Sequence, residues 1–267
     1  MSEVSLKALA NVSRDEFAAI LAGPPERAAA WVAAAARNGI VDAQAVYGQY
    51  LLDGHGVEGN LDEAFVWFRH AARRDHPMAM NMLGRCYEHG WGTAACAPVA
   101  VYWYRLAARA GLDWGMYNYA SALALGNGIE CDREQALGWF RRAAELGHAK
   151  SWNFVGSFYE DGWVVDANVD IARDYYRRAA EGGDFRGQFN YARLLAQRGD
   201  IDEAMQWLQR VPRTATAAFI TKMRDWLADS PVNAFRALEQ NFAASVNASA
   251  SAQERRAAIN FIREIRR

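Results

Sequence analysis

The sequence predicts an all-α fold: a right-handed α/α superhelical solenoid of stacked helix-turn-helix repeats with a period of 36 residues. Three observations carry this reading. Gly48, Gly84, Ala120, Gly156 and Ala192 fall 36 residues apart, and three positions beyond each come Leu51, Tyr87, Leu123, Tyr159 and Leu195. Ala28, Ala64, Ala100, Ala136 and Ala172 form a second column at the same step, each followed three residues later by Trp31, Trp67, Trp103, Trp139 and Tyr175; Ala204 and Trp207 continue it after 32 residues. Paired alanines close each unit at Ala71-Ala72, Ala107-Ala108, Ala143-Ala144 and Ala179-Ala180. Self-similarity at a fixed period of this length marks a stacked array.

Within a unit, YGQYLLDG and LGRCYEHG place apolar residues at helical spacing, and the glycines after them stand where the chain leaves the helix at positive φ. The second helix opens at Asn60, Asp132, Asn168 and Asp200, all good N-caps, and Glu63, Gln135 and Glu203 add the spacing of a capping box. Small Gly and Ala let the two helices approach, while the Trp and Tyr columns fill the space between pairs. One pair cannot bury both its faces, so the units stack and the ends need caps.

In chain order, a shortened unit at 14–38 surrounds Phe17, Ala28 and Trp31, and full units follow at 42–75, 78–111, 114–147 and 150–183. A second shortened unit at 186–211 replaces the long glycine loop with AQRGDIDEA. The repeat domain thus spans 1–211, and 212–267 forms a C-terminal helical cap continuous with it. That cap comprises helices at 214–228 and 231–246, the latter with Ser230 as N-cap and Pro231 at N1, a hinge at NASASA (247–252), and a last basic amphipathic helix, QERRAAINFIREIRR. The last helix either covers the end of the solenoid or acts as a mobile arm, giving a monomer or a weak dimer through this segment.

Composition narrows the function classes. With 52% hydrophobic residues, 267 residues can bury a substantial core. Thirty Lys and Arg against 31 Asp and Glu leave a net charge of −1, so no overall field draws nucleic acid or an anionic membrane, and neither is expected as a partner. The start of the chain has no apolar signal segment and no run reaches membrane-span length, which predicts a cytoplasmic protein. Three irregularly spaced cysteines make no disulfide framework.

In NMLGRCYEHGWG, YNYASALALGNGI and GWFRRAAELGHA, the chain resembles the Sel-1-like repeat, a bacterial-type relative of the tetratricopeptide repeat with a longer loop; the resemblance covers roughly residues 26–211. It implies an adaptor or scaffold for other proteins, and no reaction or cofactor. By analogy with tetratricopeptide stacks, the first helix of each pair lines a concave groove. Its exposed positions lie six and three before, and one and four after, the Gly/Ala column. Those positions supply Asn81, Arg85, Glu88, Trp114, Tyr117, Ser121, Lys150, Asn153, Ser157, Glu160, Arg186, Phe189 and Arg193 as a partner-binding groove for a protein or peptide of unknown identity. Such side chains are enriched in interface hot spots, and Asn can hydrogen-bond an extended backbone. Trp114 and Phe189 also admit a plainer role, packing against neighbouring units.

Other motifs weigh less. GHGVEG (54–59) satisfies G-x-G-x-x-G but follows a helix where a dinucleotide fold needs a strand. Arg69, Arg105, Arg141 and Arg177 recur every 36 residues, either as a solvated face or as a ladder for phosphate. The stretch RCYEHGWGTAAC puts Cys86, Glu88, His89 and Cys96 close together in sequence. Cys86 reads as a small core residue, so no metal site is expected. Cys96 stands in the N-cap column and is either a weak cap or a reactive thiol activated by the helix terminus. An enzyme, or an accessory subunit of one, using Cys96 and His89 is the alternative to the scaffold.

Overall fold

A computed structural model describes residues 4–242, and every regular element among them is helical. The helices are α1 (Leu6–Asn11), α2 (Arg14–Leu21), α3 (Pro25–Arg37), α4 (Val41–Asp53), α5 (Leu61–Ala72), α6 (Pro77–His89), α7 (Ala97–Arg109), α8 (Asp113–Leu125), α9 (Arg133–Glu145), α10 (Ala149–Asp161), α11 (Val169–Glu181), α12 (Phe185–Gln197) and α13 (Ile201–Leu208). A 3₁₀ turn (Val211–Arg213), α14 (Ala217–Ala228) and α15 (233–242) follow. Each helix packs chiefly on its sequence neighbours, most extensively α4 on α5, α6 on α7 and α8 on α9. This is the helix-pair solenoid class that the 36-residue period predicts. The chain falls into two compact units that divide after Ala172, inside α11. The expected hinge at 247–252 and the terminal helix lie outside the described residues.

In the first unit, the Gly/Ala column sets the spacing within pairs. A Cβ on Gly48 would lie 2.8 Å from the Phe68 ring, and one on Gly84 would lie 2.6 Å from the Tyr104 ring. Ala120 in the same column is fully buried. The rings that fill the interior are Phe68, Tyr104 and Phe140, one residue beyond the Trp column. Trp31, Trp67, Trp103 and Trp139 are only half-buried, which corrects the expectation that they fill the space between pairs. One residue along a helix turns the side chain by about 100°, so only one of two adjacent columns can point inward.

The long loops share one closing bond. Each first helix ends on a left-handed glycine, Gly54, Gly90, Gly126 or Gly162. The N–H of the next N-cap then reaches back to the first helix: Asn60 to the Leu51 carbonyl (2.8 Å), Cys96 to Tyr87 (2.7 Å), Asp132 to Leu123 (3.0 Å) and Asn168 to Tyr159 (2.8 Å). The side chains of Asn60, Asp132 and Asn168 cap their helices as the sequence predicts. The capping boxes do not close, because the N–H that Glu63 or Gln135 would accept is already donated. Glu63 accepts from the Trp67 indole instead, and Gln135 from the Tyr119 hydroxyl.

Two expected caps in the second unit also differ. Asp200 makes no side-chain cap bond; its short loop leaves it at ψ 59 and ties its N–H to the Leu195 carbonyl. Ser230 accepts from the Val232 N–H, and α15 starts at 233 rather than at Pro231.

Contacts between pairs depend on a second glycine. At Gly56, Gly92 and Gly128 φ is +65, +64 and +75, and a Cβ would come within 2.0 Å of the Pro25 carbonyl oxygen, 2.3 Å of the Leu61 oxygen and 2.5 Å of the Ala97 carbonyl carbon. Each of these loops therefore rests its backbone on the start of the second helix of the preceding pair. The fourth loop has Val164 at this place, with φ +55, a conformation that β-branched residues rarely adopt. Among the described residues no helix is long and apolar enough to cross a membrane.

These backbone constraints predict opposite effects for two substitutions. Gly92→Ala should lose about 2–4 kcal/mol in urea unfolding, since it combines strain at positive φ with overlap against rigid backbone. Val164→Gly should gain about 1 kcal/mol by releasing left-handed strain.

Candidate partner-binding cleft

In the first unit, α6, α8 and α10 enclose a cleft of about 450 Å³. Its lining is Met78, Asn81, Met82, Arg85, Glu88 and His89 from α6, Trp114, Tyr117 and Asn118 from α8, and Lys150 from α10. Six residues of the expected groove thus converge here: Asn81, Arg85, Glu88, Trp114, Tyr117 and Lys150. Ser121 lines an adjoining hollow of about 180 Å³, and its hydroxyl is turned back onto the Tyr117 carbonyl. Asn153, Ser157 and Glu160 do not line the cleft, and the Ser157 hydroxyl bonds the Asn153 carbonyl. The remaining three, Arg186, Phe189 and Arg193, lie in the second unit.

Aromatic contacts fix the wall of the cleft. Trp114, 39% exposed, meets the His148 ring edge-on at 4.6 Å, and Lys150 Nζ lies 4.8 Å from its ring centre. Tyr117 packs on His148 at 4.9 Å and on Phe154 at 5.7 Å, and Phe154 is stacked on the buried Phe140 at 4.8 Å. The Arg85 guanidinium lies 4.9 Å from the Trp91 ring centre. These contacts pin the wall and the two cations before any ligand arrives.

Polar groups form the floor. Asn81 and Asn153 are only 3% and 4% exposed, which corrects their assignment to an exposed face. The position three before the column turns toward the neighbouring pair: Asn118 Nδ2 of α8 donates to Asn81 Oδ1 at 2.8 Å. Glu88 accepts the Tyr104 hydroxyl at 2.6 Å and lies 3.6 Å from His89 Nε2. Burial first, and then Glu88, hold the Tyr104 phenol well above its ordinary range, so it stays a neutral donor. His148 is buried, with Nδ1 2.9 Å from the Ser151 hydroxyl, and desolvation lowers its pKa to about 4, with Asp113 opposing and Lys150 assisting. It is therefore a neutral ring at pH 7.

Met78, Met82 and Asn118 are cleft residues outside the expected set; Met78 occupies the position six before Gly84 that the groove rule itself names. Met82 and Asn118 lie two before the Gly/Ala column, a turn after the position six before it, so helical spacing alone would have added them. In the second unit, Phe189 packs on Phe219 at 5.5 Å and Trp226 at 5.3 Å, the plainer of its two roles. The Arg186 guanidinium lies 4.6 Å from the Phe185 ring centre, and Arg193 is half-buried.

The stretch RCYEHGWGTAAC resolves by position. Cys86 is fully buried, and burial pushes its thiol up to about 12 against the opposing Arg85 charge. Cys96 is the N-cap of α7 and makes no side-chain cap bond. The His89 ring lies 4.7 Å from Trp91. Among the described residues no group of three or more His, Cys, Asp or Glu is placed to hold a metal. Two of the recurrent arginines are turned onto neighbours: Arg69 over Phe65 and Arg141 on Tyr159, whose hydroxyl accepts a guanidinium N–H at 2.7 Å. In the second unit Arg177 pairs with Asp174 and Glu181.

Two predictions follow from these environments. A histidine whose folded pKa lies below its unfolded value of about 6.5 gives stability that is fully present above that value and is lost as pH falls toward the folded pKa. Going from pH 7 to pH 5 should therefore cost about 2 kcal/mol through His148, and His148→Gln should remove that part of the pH dependence of the urea midpoint. Cys96→Asn should restore the missing cap and raise stability by about 1 kcal/mol.

The comparisons with known proteins agree with this architecture. The Sel1 repeat model matches residues 41–76, 77–112, 115–148, 153–184 and 186–210. A Sel1 repeat protein from Oxalobacter formigenes is similar in structure with a TM-score of 0.74 and 24% identity, over 87% of this chain and 99% of that one. A protective antigen of uropathogenic Escherichia coli that displays an SLR fold gives a TM-score of 0.68 and 26% identity over 87% of this chain, which spans 52% of that longer protein. An immunity protein from Pseudomonas aeruginosa shares the fold at a TM-score of 0.51 and 18% identity, over 80% of this chain and 84% of that one. No curated protein sequence matches the chain.

Proposed function

We propose a binding role for this chain, which belongs to the Sel1 repeat family: it is a non-enzymatic scaffold that holds a segment of another protein in the cleft between α6, α8 and α10. Repeat folds of this kind commonly serve protein interaction. The observation that carries the reading is the convergence of Arg85, Trp114, Tyr117 and Lys150, fixed by aromatic contacts, on one cleft that also exposes Met78. Exposed Trp and Met offer adaptable apolar contact, and Arg adds directional hydrogen bonding. Because ring contacts hold these side chains in place, little ordering entropy is lost on binding.

A photo-crosslinking residue at Met78 should capture a partner in the native cell, and one at Tyr102, an exposed position of α7, should not. Capture only from Tyr102, or equally from both, would contradict the cleft as the binding surface.

A further inference from the structure

We infer that the occupant of the cleft is an extended acidic segment of another protein, with carboxylates on both sides of one large apolar side chain; this rests on the reading of the cleft as a binding site. Arg85 and Lys150 both line the cleft, one from α6 and one from α10. Neither has a carboxylate partner among the described residues; each lies on an indole face, Arg85 at 4.9 Å from Trp91 and Lys150 at 4.8 Å from Trp114. An indole face orients a cation and shields its stem but leaves the charge uncompensated and its N–H donors open to an incoming acceptor.

The lining carries one carboxylate, Glu88, and it is already engaged by the Tyr104 hydroxyl and by His89. Arg85 and Lys150 therefore stand as two cations against one anchored anion. A basic segment would be repelled there, and a neutral one would desolvate two cations without return. Carboxylates instead form charge-assisted hydrogen bonds with both, about twice as strong as neutral ones.

The rest of the lining fits what lies between the carboxylates. Met78, 44% exposed, and Trp114, 39% exposed, offer an apolar surface for one large side chain. Asn118 donates one N–H to Asn81, and an amide in that position retains a second N–H and its carbonyl, the complement of a peptide group in an extended strand.

The test is selection of peptides from a randomised library on the full chain, followed by titration of the selected peptides. The expected result is enrichment of Asp or Glu flanking an apolar residue. Binding should weaken at least tenfold in Arg85→Gln and in Lys150→Gln, and more steeply with salt in the wild type than in either variant, with thermal unfolding midpoints unchanged. Basic or uncharged peptides that lose binding on Trp114→Ala would overturn the acidic assignment and leave the cleft as a binding site. Peptides indifferent to Arg85, Lys150 and Trp114 alike, or no enrichment at all, would overturn the cleft reading together with it.

Discussion

The rings of Phe68 and Tyr104 occupy the space that side chains at Gly48 and Gly84 would need, within 2.8 and 2.6 Å of the positions where a Cβ would sit. Ring against bare backbone sets how closely the first helix of each of these pairs lies to its second. Protein interiors are close-packed and do not stretch, so this distance is inherited by the residues that the first helices display beside the contact. The cleft is such a display: Arg85 and Glu88 follow Gly84 by one and four residues on α6, and Glu88 is itself bonded to the hydroxyl of the ring that Gly84 admits. The contact that builds the pair and the contact that places a cleft carboxylate thus share one side chain, Tyr104.

That side chain belongs to an alternation with a period of two repeats. In one kind of repeat a tyrosine one before the Gly/Ala column meets the Trp column edge-on, as in Tyr47 with Trp67 at 5.5 Å and Tyr119 with Trp139 at 5.7 Å; in the second unit Tyr191 meets Trp207 at 5.8 Å in the same way. Glu63, Gln135 and Glu203 at the third helical position accept hydrogen bonds from these aromatic groups. In the other kind the buried ring carries the hydroxyl, as Tyr104 does, and the first helix supplies Glu88. The cleft lies where α6 of one kind adjoins α8 of the other, so its two walls differ: charged on α6, aromatic on α8.

Much of this was legible in the sequence, and the failures share a cause. Columns at 36 residues located every pair, the left-handed glycines and three N-caps, because those features depend on chain position alone. Which of two adjacent aromatic columns points inward depends on helix rotation, and a period of 36 holds equally for both, so the Trp column stands out in the sequence although the Phe68, Tyr104 and Phe140 column is the buried one. Asn81 was placed on an exposed face for the same reason; its burial depends on Asn118 of the next pair, a contact across repeats. The capping boxes do not close because the N-cap N–H already has a partner, nine residues back at Asn60 and Asp132 and five back at Asp200, which the local pattern does not reveal.

The central claim is that ring-against-glycine contacts fix the pair spacing and, through it, the cleft. A double-mutant cycle on Gly84 and Tyr104 measures this most directly. Gly84→Ala alone should destabilise by about 1–3 kcal/mol, because the added carbon meets the ring, and in a Tyr104→Leu background most of that loss should vanish, giving a coupling above about 1 kcal/mol. Equal losses in both backgrounds would show that the ring does not set the spacing, and would contradict the account.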